Sequence, residues 1–364
     1  MKILIIPDSF KGSLTSKEVT DIINSALLEK YPSLTIEGLP FADGGEGSLS
    51  CLKEVLKEYQ QQVVKVTGCQ IGKTRSVPYL TYQNKAIIET ALIMGLNQVI
   101  HNPFITTTYG VGQVIQDALD RGIREFEITL GGSSTNDGGA GMLAALGVLF
   151  YHQHKTFIPT GGTLNDIDKI DISHLDKRLK DCTFKILSDV TNSLLGPQGA
   201  TYTFALQKGA SKDQLHYLEE GMKHYASLIC SQKETKEGSG AAGGLGYAFL
   251  SFFPSHLVPG AEEILQLYHF DERIKDVDMI ITGEGKTDSS SLNGKCISII
   301  AKHSQNKRLV LLSGYVEKEV YDSLRNIGFK EIYSIQKDKN KTLEEIQAHA
   351  KEDLKASVVK YISC

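Results

Sequence analysis

One stretch limits the folds open to this chain more than any other: Glu127–Gly147, EITLGGSSTNDGGAGMLAALG. It reads as a short β-type run (Ile128, Thr129, Leu130), a loop dense in glycine, and an apolar helical run (Met142, Leu143, Leu146). Gly131, Gly132, Gly138 and Gly139 free the backbone to turn with positive φ and to come close to another group. Ser133, Asn136 and Asp137 supply side-chain oxygens where a helix must begin. Unpaired N–H groups at such a helix start favour an anion, so the stretch is expected to bind phosphate.

The same strand–loop–helix pattern recurs at both chain ends. Lys2–Ile6 is a continuous apolar run of the kind buried in a parallel sheet, stopped by Pro7 and followed by the loop Asp8–Ser13. Thr15 and Glu18 then make a capping-box pattern, with Val19, Ile22, Ile23, Ala26 and Leu27 on one helical face. Thr35–Leu39 is a second strand, ending in Ala42–Gly47 (ADGGEG) before another helical run. After Phe270, strands at Asp278–Thr282, Leu309–Leu312 and Glu331–Ile335 alternate with helical runs at Ile297–Lys302 and Glu317–Ile327. A last helix opens with a capping box at Thr342 and Glu345 and carries the stripe Leu343, Ile346, Leu354, Val358 and Tyr361.

The middle reads differently. Val63–Val66, Val77–Thr81 and Ala86–Ile88 are close-spaced strands without helices between them, as in an antiparallel segment. Gly68–Thr74 imitates a nucleotide P-loop but is one residue short and runs into a strand, so it is a hairpin. Gly238–Gly243 matches G-x-G-x-x-G but follows a charged connection rather than a strand, which removes the dinucleotide context. It remains a second glycine-rich helix start, with Gly243 and Gly244 able to offer N–H groups. His152–Lys180 reads as irregular surface structure.

The fold expected is therefore α/β: a doubly wound, mostly parallel sheet built by residues 1–64 and 272–364. A second α/β domain with a mixed sheet, residues 65–271, is inserted between them. In doubly wound sheets, ligands sit outside the carboxyl ends of the strands, where these polar loops fall. A chain of 364 residues suits two domains. A net charge of −4 argues against nucleic-acid coating. No apolar run is long enough to span a bilayer, and Pro7-Asp8 ends the first one far short of a signal peptide. The six scattered cysteines show no metal spacing, which fits a reduced, cytoplasmic protein.

Nearly every strong strand stops at a loop mixing glycine with a carboxylate or lysine: Asp8/Lys11, Asp43/Glu46, Asn136/Asp137, Asp189/Asn192, Lys208, Glu284/Lys286/Asp288 and Lys295. There is no G-x-S-x-G elbow, and Phe10 stands where an aspartyl phosphatase needs its second aspartate. Anion-binding loops, carboxylates for Mg²⁺ or a hydroxyl proton, and lysines for phosphate suit phosphoryl transfer. The rival class is a two-lobed, non-catalytic sensor of a sugar acid or nucleotide, which has less use for so many carboxylates.

At these residues the chain resembles the class I glycerate kinases. The matching words are Asp8–Ser13, Ala42–Gly47, Thr107–Gly110, Gly131–Gly139, Ser188–Asn192, Gln207–Ala210, Gly240–Gly246 and Thr282–Gly285 with Asp288 and Gly294-Lys295. They come in the family's order over almost the whole chain. Departures are Ser289 beside Asp288 where glutamine is expected, Ser193 where proline is usual, and Phe204–Leu206 without a glycine and proline.

The resemblance implies ATP-dependent phosphorylation of D-glycerate with Mg²⁺, in a cleft between the two domains. On that footing Asp189 is expected to be the general base, with Asp8 as competitor, and Lys11 and Lys295 to meet the substrate carboxylate or phosphoryl group. Ser9, Arg75, Asn192 and Lys286 are expected at the substrate. Gly131, Gly132, Ser133, Asn136, Gly138, Gly139, Gly243 and Gly244 are expected at the phosphates of ATP. Asp43, Glu46, Asp137 and Asp288 are metal-ligand candidates. The 2- or 3-hydroxyl as acceptor, and a homo-oligomer, stay open.

Overall fold

The expected apolar runs become neighbouring parallel strands in a computed structural model that describes residues 1–96, 101–292, 294–336 and 342–364. The side chain of Leu343 also lies outside the described residues. Contacts divide the chain into two units. The first holds Met1–Asp43, Ser50–Lys57 and Ala261–Cys364; the second holds Gly44–Leu49 and Glu58–Gly260.

In the first unit five strands form one parallel sheet. Its order is Glu331–Ser334, Arg308–Ser313, Met279–Thr282, Lys2–Ile5, Thr35–Gly38. From Lys2–Ile5 the chain first moves to one side and later returns to build on the other, so the order reverses between Lys2–Ile5 and Met279–Thr282. A crevice opens outside the carboxyl ends at such a switch point. The strands are continuous apolar runs because both faces are covered: Ile3, Leu4 and Ile5 are fully buried, as are Met279, Ile280 and Ile281. Helix Ser16–Lys30 starts at the predicted Thr15/Glu18 capping box and buries Val19, Ile23, Ala26 and Leu27. The last helical stretch is two helices, Leu343–Ala348 and Ala350–Tyr361. Leu354 and Val358 enter the core.

The second unit carries a mixed six-stranded sheet, ordered Ser255–Val258, Thr183–Leu187, Glu125–Thr129, Lys85–Glu89, Thr74–Tyr82, Gln60–Thr67. The first four strands are parallel and the last two antiparallel. Thr67 pairs with Thr74 across a turn, so Gly68–Thr74 is a hairpin. Because Gln60–Thr67 belongs wholly to this sheet, the change of unit falls before Gln60 rather than at residue 64. The segment 152–180 differs from its reading as irregular surface. Leu149–His152, Lys155–Phe157 and Lys169–Asp171 form a small antiparallel sheet. Strands this short leave no alternation long enough to read.

Candidate active site in the parallel-sheet unit

Backbone pairing continues past the ends of the two central strands. Ile6 N–H donates to the Ile281 carbonyl and Asp8 N–H to the Gly283 carbonyl, each at 2.8 Å. This holds the Asp8–Ser13 loop beside the Gly283–Asp288 loop. Gly283 has to be glycine, because a Cβ there would strike the Leu312 carbonyl, and Gly285 sits close against Phe10 and Lys11. Ser16 fastens the base of the first loop: its Oγ donates to the Pro7 carbonyl (2.7 Å) and accepts the Phe41 N–H (2.6 Å).

A cavity of about 590 Å³ lies at these strand ends. Asp8, Ser9, Lys11, Asp43, Lys286, Asp288 and Lys295, scattered over nearly three hundred positions of sequence, line it together with Glu284. Ser9 N–H donates to Asp8 Oδ1 at 2.6 Å. Lys295 caps helix Cys296–His303, and its Nζ donates to Ser290 Oγ at 2.7 Å. Ser290 Oγ in turn donates to Asp288 Oδ1 at 2.6 Å. The serine run after Asp288 therefore serves as a bridge between that carboxylate and Lys295. Lys286 is exposed and pairs with Glu317 (2.8 Å) and Asp288 (3.4 Å).

The electrostatics are set by crowding. Burial raises the Asp8 carboxyl from 3.8 to about 7, helped by the Asp43 and Glu284 charges and opposed by Lys11 and the Ser9 N–H. Burial alone would lower the Lys11 ammonium, but Asp43 and Asp8 more than reverse it and keep its pKa raised. Glu284 is raised by burial against hydrogen bonds from Ser291 and Thr287. Asp288 is lowered, chiefly by the Ser290 hydroxyl. One buried carboxyl is thus poised near neutrality beside a firmly charged lysine, the arrangement a general base requires.

The remaining expected site residues belong to the second unit, where hydrogen bonding redefines several of them. Asp137 is fully buried, and its carboxylate accepts the Thr108 N–H (2.7 Å), the Thr108 hydroxyl (2.9 Å), the Gly139 N–H (3.1 Å) and the Gly141 N–H (3.2 Å). It is an internal clasp of the glycine loop. Gly138 N–H donates to the Gly243 carbonyl (3.0 Å), and a Cβ on Gly139 would strike Ala248. Gly243 lies on the Thr135 carbonyl and Gly244 on Gly138. The Gly138 and Gly139 N–H groups are thus engaged within the protein, and Gly138, Gly139, Gly243 and Gly244, expected at the phosphates, permit close backbone approach here. Ser133 and Asn136 are buried, and only Gly131 and Gly132 of this loop reach the surface. Lys208 is buried beneath it, donating to Ser133 Oγ (3.1 Å) and the Thr135 carbonyl (2.7 Å), and burial lowers its pKa to about 7.

Asp189 Oδ1 accepts the Gly260 N–H (2.8 Å), and Asn192 Nδ2 donates to the Gln198 carbonyl (2.7 Å). Asp189 thus ties its loop to the start of helix Gly260–Leu267, while Asn192 braces its own loop. Glu46 is exposed and Arg75 sits on the Thr74–Tyr82 strand. Glu89 is a residue that sequence reasoning missed: it is buried and accepts the Gly47 and Leu49 N–H groups at 2.9 and 2.8 Å. Also missed were Tyr315, Ile335, Ile346, Gln347, Ala350 and Asp353, which line the same cavity. Ile346 sits in an apolar stripe, which by spacing alone is indistinguishable from a core position.

Comparisons with known proteins agree with this architecture. Residues 3–363 match the model of the glycerate kinase family. A glycerate kinase of Bacillus subtilis (strain 168) is 39% identical over 316 residues, covering 84% of this chain and 82% of that protein. A protein of Escherichia coli (strain K12) named glycerate 2-kinase is 37% identical over 332 residues, 88% of this chain and 87% of that one. The crystal structure of a candidate glycerate kinase 2 from Salmonella typhimurium LT2 superposes with a TM-score of 0.80 at 34% identity, covering 99% of this chain and 96% of that one.

Proposed function

This chain belongs to the glycerate kinase family, and from that premise we propose that it transfers the γ-phosphoryl group of ATP to a hydroxyl of D-glycerate at the cavity around Asp8. The observation that carries the reading is the meeting of Asp8, Lys11, Asp43, Glu284 and Lys295 at the switch point of one parallel sheet. Phosphoryl transfer asks for positioning and charge neutralisation more than for covalent chemistry, and these groups supply both. Lys11 and Lys295 meet the phosphates, and Asp8 accepts the hydroxyl proton as the hydroxyl oxygen attacks. Asp8 takes precedence over Asp189 because it lines the cavity together with Lys11 and Lys295, and Asp189 is not among the lining residues.

The family implies Mg²⁺, and the donor set fits it. Among the described residues no three His, Cys, Asp or Glu form a ready-made metal cage. Mg²⁺ ordinarily takes one or two carboxylates and completes its shell with water and phosphate oxygens. Asp8, Asp43 and Glu284 crowd one lysine, an excess of negative charge that a dication relieves. Asp43 and Glu284 would hold it, and bound there it would neutralise charge on the transferring group. Asp288 is engaged with Lys286 and Ser290.

The name of the Escherichia coli relative favours the 2-hydroxyl as acceptor. ADP release by the purified chain with ATP, Mg²⁺ and D-glycerate tests the activity, and phosphorus NMR of the product tests the position. ADP release no faster with glycerate than without it would end the kinase reading. A 3-phosphoglycerate signal would reverse the regiochemistry alone.

A further inference from the structure

The charged residues make up only part of the cavity's lining. A three-carbon acid occupies a small part of about 590 Å³, a volume within the roughly 300–1,000 Å³ usual for drug-sized ligands. Tyr315 and Ile335 line the cavity too, each just beyond the carboxyl end of a sheet strand, with Tyr315 paired beside Lys286. Ile346, Gln347, Ala350 and Asp353 come from the two C-terminal helices. The break between those helices lets the first present Ile346 to the cavity while Leu354 and Val358 of the second stay in the core. Gln347 reaches from these helices to the Asp8–Ser13 loop. Its Nε2 lies 2.8 Å from the point a Cβ on Gly12 would occupy, directly over the Asp8–Ser13 loop.

We propose that these residues form the nucleoside subsite: the adenine of ATP lies on the wall of Tyr315, Ile335, Ile346 and Ala350, with Asp353 as acceptor for the ribose hydroxyls. An apolar wall with a few convergent polar groups is the usual form of such a site, and a carboxylate is a common ribose partner. The phosphates then run toward Lys11 and Lys295. The subsite rests on the kinase reading for its place in a reaction, but ADP binding examines it independently of turnover.

Ile346→Asp puts a charge on the apolar wall at a half-exposed helical position that folding tolerates, and Ala350→Phe fills the same space. Titration calorimetry with ADP and with inorganic tripolyphosphate separates the base from the phosphates. The subsite predicts that ADP binding to Ile346→Asp weakens at least tenfold while tripolyphosphate binding changes less than twofold, with Ala350→Phe as the replicate should the first variant not fold. KM for ATP should rise in parallel while KM for glycerate stays within twofold. Unchanged ADP binding, equal losses for both ligands, or a rise confined to glycerate KM would overturn the subsite. Wild-type protein that binds ADP but turns over no glycerate would overturn the kinase reading and leave the subsite standing.

Discussion

Replacing Asp8 by Asn should make the protein both less active and more stable, and the two effects have one origin. Asp8 is 7% exposed, and its carboxyl is raised from 3.8 to about 7 by burial and by Asp43 and Glu284. A folded-state pKa above the unfolded value means that the folded form holds the proton more tightly. The associated stability is complete below about pH 4 and is lost as pH climbs toward 7. At pH 8 the ionised carboxylate therefore costs the fold up to ~4 kcal/mol, at ~1.4 kcal/mol for each tenfold change in proton affinity. Asn keeps the size, and its oxygen can still accept the Ser9 N–H that reaches Oδ1 at 2.6 Å. Thermal melts of the Asn variant should thus show a Tm gain of order 10 °C at pH 8, shrinking to nothing near pH 4. Turnover should fall ~10²-fold or more, and the acid limb of kcat/KM that Asp8 sets in the wild type should disappear. Equal melting at pH 8, or an unchanged pH limb, would refute the assignment of a strained catalytic carboxylate.

Three further outcomes follow from other contacts. Lys11→Met removes a cation that lowers Asp8, so the pH limb should move upward and turnover should fall ~10²-fold or more, read from rate–pH profiles. Asp137→Ala strips four donors of a buried partner. It should cost roughly 3–5 kcal/mol in denaturant melts, with little change in the pKa seen in kinetics of the surviving folded fraction. His303 bonds Asp271 (2.7 Å) and Glu262 (2.8 Å). Burial would lower its pKa, but those carboxylates leave it raised above 6.5. His303→Gln should therefore melt lower than wild type at pH 6, and the gap should close as pH rises through the raised folded-state value, because stability from a raised group is lost there.

Local pattern made much of the fold legible. A continuous apolar run such as Lys2–Ile5 reads as a strand buried on both faces, and Thr15 with Glu18 marks a helix start without reference to anything distant. Loops at the carboxyl ends of parallel strands are where ligands gather, which is why Asp8, Lys11, Asp43 and Lys295 could be named before their meeting was seen. What failed was whatever depends on a partner far away in sequence. The loop around Asp137 reads as a phosphate cradle, and what the sequence hides is that its Gly139 and Gly141 N–H groups go to Asp137 and its Gly138 N–H to the Gly243 carbonyl, over a hundred positions on. Glu89 looks like the end of a strand, yet it caps a turn at Gly47 and Leu49. Ile346 carries the periodicity of a core residue and lines a cavity instead, because a helix break at His349 changes the direction of its turn.

The most direct test of the central claim is a crystal structure with a non-hydrolysable ATP analogue, Mg²⁺ and D-glycerate bound. The account predicts β- and γ-phosphate oxygens within hydrogen-bonding distance of Lys11 and Lys295, with the glycerate hydroxyl at Asp8. Phosphates bound to the Gly131–Gly141 loop, away from both lysines, would contradict it.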